Sequence, residues 1–111
     1  MRNKNRVGIS FYPKTTKKNK WVGRNDDISG TCEVTEDDLI FTFKLLALIR
    51  LKKLDFNLEL KNIAKIESLT INLILPIGVC ITMEDGKEYI FGCMRRKKLL
   101  EMILDAKDNI K

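Results

Sequence analysis

Apolar and polar residues alternate along this chain in short runs, each closed by a turn signal, until a last segment that changes period. Residues 30–43 (GTCEVTEDDLIFTF) read as two strands around an acidic turn, and residues 54–60 (LDFNLEL) alternate one for one. Residues 79–91 (VCITMEDGKEYIF) show a further hairpin pattern around Asp85 and Gly86. Period two marks strands with one face buried. From Lys97 onward the spacing is helical: Leu99, Ile103, Ala106 and Ile110 recur at steps of four, three and four. Leu100 and Met102 widen that stripe, and Glu101, Asp105 and Lys107 occupy the opposite face. Near the start, Val7, Ile9 and Phe11 alternate with Gly8, Ser10 and Tyr12, which marks a first strand candidate. Trp21-Val22 is a second candidate, and the PKTTKKNK stretch between them reads as a loop. Residues 63–69 (IAKIESL) show little regularity and run into LTINLILPIGV.

Parity sets the strand registers, because core-facing residues must match across a hairpin. A two-residue loop at Asp85-Gly86 would oppose Met83 to Glu88 and Thr82 to Tyr89, mixing apolar with polar. A three-residue loop with Gly86 in the left-handed region opposes Met83 to Lys87, Ile81 to Tyr89 and Val79 to Phe91. That register is expected, with Tyr89 and Phe91 buried and Glu88 and Ile90 facing the other way. In the earlier hairpin, pairing Val34 with Leu39 leaves residues 35–38 as the turn. Cys32, Val34, Leu39, Phe41 and Phe43 then face the core, joined by Leu54, Phe56, Leu58 and Leu60. Asp55, Asn57 and Glu59 face water. A half-barrel leaves one mouth open, and an apolar helix after the final strand would close it.

Composition narrows the class. The chain has 111 residues, enough for one core; an apolar share of 44% beside a charged share of 32% is that of a globular domain rather than a disordered one. Its longest uncharged stretch, residues 68–83, falls short of the roughly 18 to 20 apolar residues that span a bilayer. No apolar stretch follows the basic N-terminus closely enough for a signal peptide. The expected location is therefore cytoplasmic, or peripheral at a membrane. The three cysteines (Cys32, Cys80, Cys93) are scattered and there is no histidine, so buried reduced thiols are expected rather than a zinc site, and no cofactor. The charge is unevenly placed: residues 1–29 carry net +6, whereas the remainder sums to zero. A basic arm on a neutral domain suits an anionic partner, or merely solubilises a loose start.

Three stretches, in order, resemble a known family. GTCEVTEDDLIF resembles the G-x-L-x-L-T-x-x-x-L-I-F hairpin of GRAM domains, within the pleckstrin-homology superfold. LELKNIAKIE resembles their I-P-L-x-D-I-x-x-I segment, with Leu60, Ile63 and Ile66 at the apolar positions, and LILPIGVCITMEDGKEYIF resembles their strand pair around D-G-K. The chain lacks the family's Pro before Leu60 and carries an unusually apolar insert at residues 45–51. The resemblance spans about residues 20–110 and implies a mostly β fold. That fold is a partly open antiparallel barrel of about seven strands capped by a C-terminal helix. It divides the chain into a basic segment (1–19, with the first strand candidate) and a PH/GRAM-like domain (20–111). It also implies a non-catalytic binding module for protein partners or anionic lipid surfaces.

The residues agree with a module that is not an enzyme: there is no histidine for a triad or general base, and no glycine-rich phosphate loop. Two features are candidate sites. The insert Leu45, Leu46, Leu48, Ile49 and Leu51, rimmed by Lys44, Lys52 and Lys53, loses alternation and falls in the connection between the third and fourth strands of the resembled fold. It is expected as a protein, self-association or membrane patch. The alternative is a lengthened hairpin or short helix folded back onto Leu73, Ile74, Leu75 and Ile77. The second feature is basic: Lys14, Lys17, Lys18 and Lys20, with Arg95, Arg96, Lys97 and Lys98 at the helix start. Cations there oppose the helix dipole, so they serve an anion beside the free N–H groups or form a solvated face. A rival reading is single-stranded nucleic-acid binding, with Phe11, Tyr12 and Trp21 stacking bases; sparse aromatics weigh against it.

Overall fold

Seven antiparallel strands and one helix follow one another as the alternation requires. They are β1 (Arg6–Phe11), β2 (Ile28–Val34), β3 (Asp38–Ala47), β4 (Arg50–Glu59), β5 (Ile63–Ile71), β6 (Leu75–Met83), β7 (Glu88–Gly92) and α1 (Arg96–Asp108). A computed structural model provides the coordinates and describes residues 5–13, 15–19, 21–22, 28–47 and 50–108, with side chains for all but 44–47 and 50–54. The strands form one sheet in the order β4-β3-β2-β1-β7-β6-β5. Curled into an open half-barrel with α1 at its mouth, this is the expected PH-like architecture. β1 is the middle strand, paired with β2 along its whole length and with β7 at Ser10 and Phe11, so the N-terminal segment belongs to the same sheet.

Both parity-derived registers are present. Val34 opposes Leu39, while Val79 opposes Phe91 and Ile81 opposes Tyr89. Gly86 has φ +93 and its N–H donates to the Met83 carbonyl, which gives the three-residue loop its left-handed corner. All five phenylalanines meet on the concave side. Phe91 lies flat on Phe41 (centroids 4.6 Å apart, planes 2° apart), and Phe11 stands 5.2 Å from Phe91 and 5.7 Å from Phe43. Leu99 and Ile103 of α1 are buried in the same core, as their spacing predicts. The buried Cys32 thiol is pushed up to about 12 by desolvation, which makes it a small apolar side chain rather than a nucleophile.

One expectation needs correction and another an addition. Residues 63–69, read as irregular, are most of β5. Its two register shifts, between Ile63 and Lys65 and between Leu69 and Ile71, break the alternation that would have marked it. Ile90 does face away from the aromatic core, yet it is 2% exposed. It sits in a second cluster on the convex face with Tyr12, Ile71 and Cys80, and with Val22 and Leu69 packed alongside.

Close approach fixes Gly30. A Cβ on Gly30 would land on the Thr42 carbonyl oxygen and 2.8 Å from the Phe43 Cα, both backbone atoms that cannot rotate aside. Gly30→Ala should therefore cost about 1–3 kcal/mol, read as a lower urea midpoint. An unchanged midpoint would show that the β2–β3 pair separates there without strain.

Candidate functional site

The segment after β1 does not trail into solvent as a free basic arm. Tyr12 donates its N–H to the Ile90 carbonyl, and the chain crosses the convex face of β5, β6 and β7. Short local bonds shape it: Thr15 N–H to the Tyr12 carbonyl, Asn19 N–H to Thr16 Oγ1, and Trp21 N–H to Asn19 Oδ1. The Lys17 ammonium ties this strap down by pairing with Glu67 at 3.3 Å and with Glu88 at 3.4 Å. Its hydrogen bond to Glu67 raises the Lys17 pKa, and hydrogen bonds from Lys65 and then Lys17 lower that of Glu67. Lys17 is thus engaged within the fold.

The strap ends against the β5–β6 hairpin. Asn72 accepts the Val22 N–H at Oδ1 (2.6 Å) and donates Nδ2 to the Val22 carbonyl (3.1 Å), closing a two-point clamp. Asn72 and Leu73 both have positive φ, 54 and 69, and Ile74 N–H donates to the Ile71 carbonyl. This is the mirror-type turn that suits strand twist. Asn tolerates the left-handed region, but Leu does so at a cost of roughly 1–2 kcal/mol.

That strained turn points apolar residues outward. Leu73 is 86% exposed, Ile74 78%, and Trp21, held beside them by the Val22–Asn72 clamp, 63%. Leu75 continues the exposed run on β6. Met94, just past Cys93 whose N–H bonds the Ile77 carbonyl, is exposed at the same end of the sheet. Most of the large exposed apolar side chains among the described residues therefore lie around one hairpin tip. Lys18, Asn19, Trp21, Thr70, Asn72 and Leu73 line a shallow groove of about 430 Å³ there.

The residues proposed from sequence are only partly gathered here. Lys18 is exposed and lines the groove, whereas Lys14 and Lys20 lie outside the described residues. At the helix start the anion-cradle expectation does not hold for Arg96. Its Nη1 donates to the Leu69 and Gly78 carbonyls at 3.0 and 3.2 Å, stapling α1 to β5 and β6. Arg95 and Lys97 are exposed and Lys98 is half-buried. Arg95 borders a separate convex groove floored by Gly8, Ser10, Ser29 and Gly92.

The described residues of the apolar insert are strand, as in the lengthened-hairpin alternative. Leu45, Leu46 and Leu51 continue the β3–β4 ladder, in which Leu46 opposes Leu51; Leu48 and Ile49 lie outside the described residues. Leu73 and Ile74, expected under that alternative to be covered, are 86% and 78% exposed. Of the aromatics considered for base stacking, Phe11 belongs to the concave core and Tyr12 is 7% exposed, which leaves Trp21. Among the described residues no helix is long and apolar enough to cross a membrane, and no three His, Cys, Asp or Glu side chains converge as metal ligands.

No protein-family model matches the chain, and no curated protein does. Among solved structures it is similar to the C-terminal domain of an unknown protein from Leishmania infantum, with a TM-score of 0.70 at 11% identity. The alignment covers 97% of this chain and 85% of that one. At that identity the likeness speaks for the fold alone.

Proposed function

We propose that this domain is a non-catalytic binding module of PH/GRAM-like type that docks on anionic membrane surfaces. The β5–β6 tip enters the headgroup region. The observation that carries this reading is the clamped apolar tip, Trp21 with Leu73 and Ile74, exposed beside Lys18. Isolated exposed apolar residues are ordinary, but a cluster held outward by a strained turn calls for a partner. Tryptophan favours the boundary between water and acyl chains, where its ring is apolar and its N–H stays wet. Stable peripheral binding needs two signals. Here the second is Lys18 beside the tip, which adds about 1 kcal/mol at an anionic leaflet and belongs to a segment, residues 1–29, of net charge +6.

Trp21 is the chain's single tryptophan, so it reports directly on the site. Vesicles of phosphatidylcholine with phosphatidylserine should co-sediment the protein and shift Trp21 emission to the blue, and salt should reverse both effects. Phosphatidylcholine alone should do neither. Leu73→Ser with Ile74→Ser should weaken binding about tenfold or more without lowering the melting temperature, since both side chains are exposed. Retention by a single-stranded oligonucleotide at the same salt, with no vesicle binding, would overturn the proposal in favour of nucleic acid.

A further inference from the structure

The two outer strands of the sheet are finished differently. β5 is blunted: two register shifts interrupt it, and Lys107 Nζ donates to the Ile63 carbonyl at 2.8 Å. Among the described residues β4 has none of these devices. Its ladder with β3 is unbroken from Asp38↔Glu59 to Ala47↔Arg50, without bulge, proline or glycine. Among the described residues no strand lies on its outer side. Long regular edges are templates for further pairing, and folds that stay single usually interrupt them.

Which groups face outward follows from one bond. Leu60 N–H donates to the Asp37 carbonyl, so Asp38 and Glu59 are a non-hydrogen-bonded pair. Alternation then turns the even-numbered residues of β4 toward β3. The N–H and C=O groups of Lys53, Asp55, Asn57 and Glu59 point to the open edge. Charge along that edge is split: Arg50, Lys52 and Lys53 precede Asp55 and Glu59.

We infer that the β4 edge pairs antiparallel with β4 of a second copy, across a two-fold axis. Ladder geometry requires odd residues to meet odd residues, and the register that opposes Lys53 to Asp55 satisfies this twice by symmetry. Lys53 then opposes Asp55 on both sides of the axis, so a lysine that would deter other strands favours this one. The pairing also supports a weak element. Among the described residues β2 pairs with β3 only as far as Gly30↔Phe43, and residues 44–47 and 50–53 extend beyond it as a two-stranded ribbon. Such ribbons are marginal in water, and this one is rich in leucine. The second copy's residues 55–59 would add a third strand to it. This inference stands apart from the lipid-docking tip, which uses another end of the sheet.

Two charge variants test it by light scattering. Asp55→Lys with Glu59→Lys makes the edge wholly basic, and Arg50→Glu with Lys53→Glu makes it largely acidic. Wild type should have twice the monomer mass, each variant alone the monomer mass, and an equimolar mixture should recover the dimer. Asp55 and Glu59 are exposed, so the first variant should still fold and melt cooperatively as a monomer. Asn57→Pro gives an independent check, because it removes an outward N–H without touching the bonds to β3. It too should be monomeric. A monomeric wild type at the highest soluble concentration would overturn the inference. So would a dimer that survives both charge variants.

Discussion

Phe91→Ala should lower the unfolding free energy by roughly 3–5 kcal/mol, a large share of what a domain of this size has to lose. Phe91 is fully buried and lies where three parts of the sheet converge: Phe41 from β3, Phe11 from β1 and its own neighbour Tyr89. Removing the ring takes away its burial and leaves a cavity that the flat stack cannot close, because Phe41 and Phe11 are themselves fixed by Phe56 and Phe43. Stacking geometry adds about 0.5–1.5 kcal/mol beyond area. Phe91→Leu should cost less, since it refills part of the void. Urea unfolding of both variants checks this. A loss under about 1 kcal/mol for the alanine would mean that the half-barrel is loosely packed and that the rings do not unite its strands.

Much of that core could be read from parity. Cys32, Val34, Leu39, Phe41, Phe43, Val79, Ile81 and Phe91 all lie where alternation puts them, because β2, β3, β6 and β7 present one face to the core and one to water or to the strap. Gly86 sharpened the last register, since only a residue at ease with positive φ gives the three-residue loop. The same logic failed for β5 and the start of β6, where the information is not local. Their turn is Asn72-Leu73, with no glycine to announce it, and the uncharged run 68–83 hides a hairpin apolar on both faces. Its second face is buried because the strap, with Tyr12 and Val22, crosses it. A contact between residue 12 and residue 90 leaves no signal in either neighbourhood.

The candidate site was hidden for the same reason. Leu73 and Ile74 read as packing material, and Trp21 as the start of a strand. The Val22–Asn72 clamp joins them across fifty residues. Conversely, the basic residues were visible in the sequence but not their employment. Lys17 neutralises Glu67 and Glu88, and Arg96 holds backbone carbonyls, because a half-barrel with an open edge and a crossing strap creates acceptors that cations must satisfy.

Leu99→Ala should cost roughly 2–5 kcal/mol, and Leu104→Ala on the same helix should stay within about 0.5 kcal/mol of wild type. The contrast comes from one helical face. Leu99 is 1% exposed and shares the concave core with Ile103 and Leu60, where α1 packs on the 3-10 turn after β4 and on β2 and β6. Leu104 is 55% exposed on the far side. Both substitutions alter helix propensity equally, so the difference between them isolates what closing the barrel mouth contributes. The helix is tied at both ends, by Arg96 to β5 and β6 and by Lys107 to the Ile63 carbonyl, and it cannot slide to fill the void left at residue 99. Equal losses for the two variants in urea unfolding would mean that α1 is an outlying helix whose own stability, rather than its packing, was being measured.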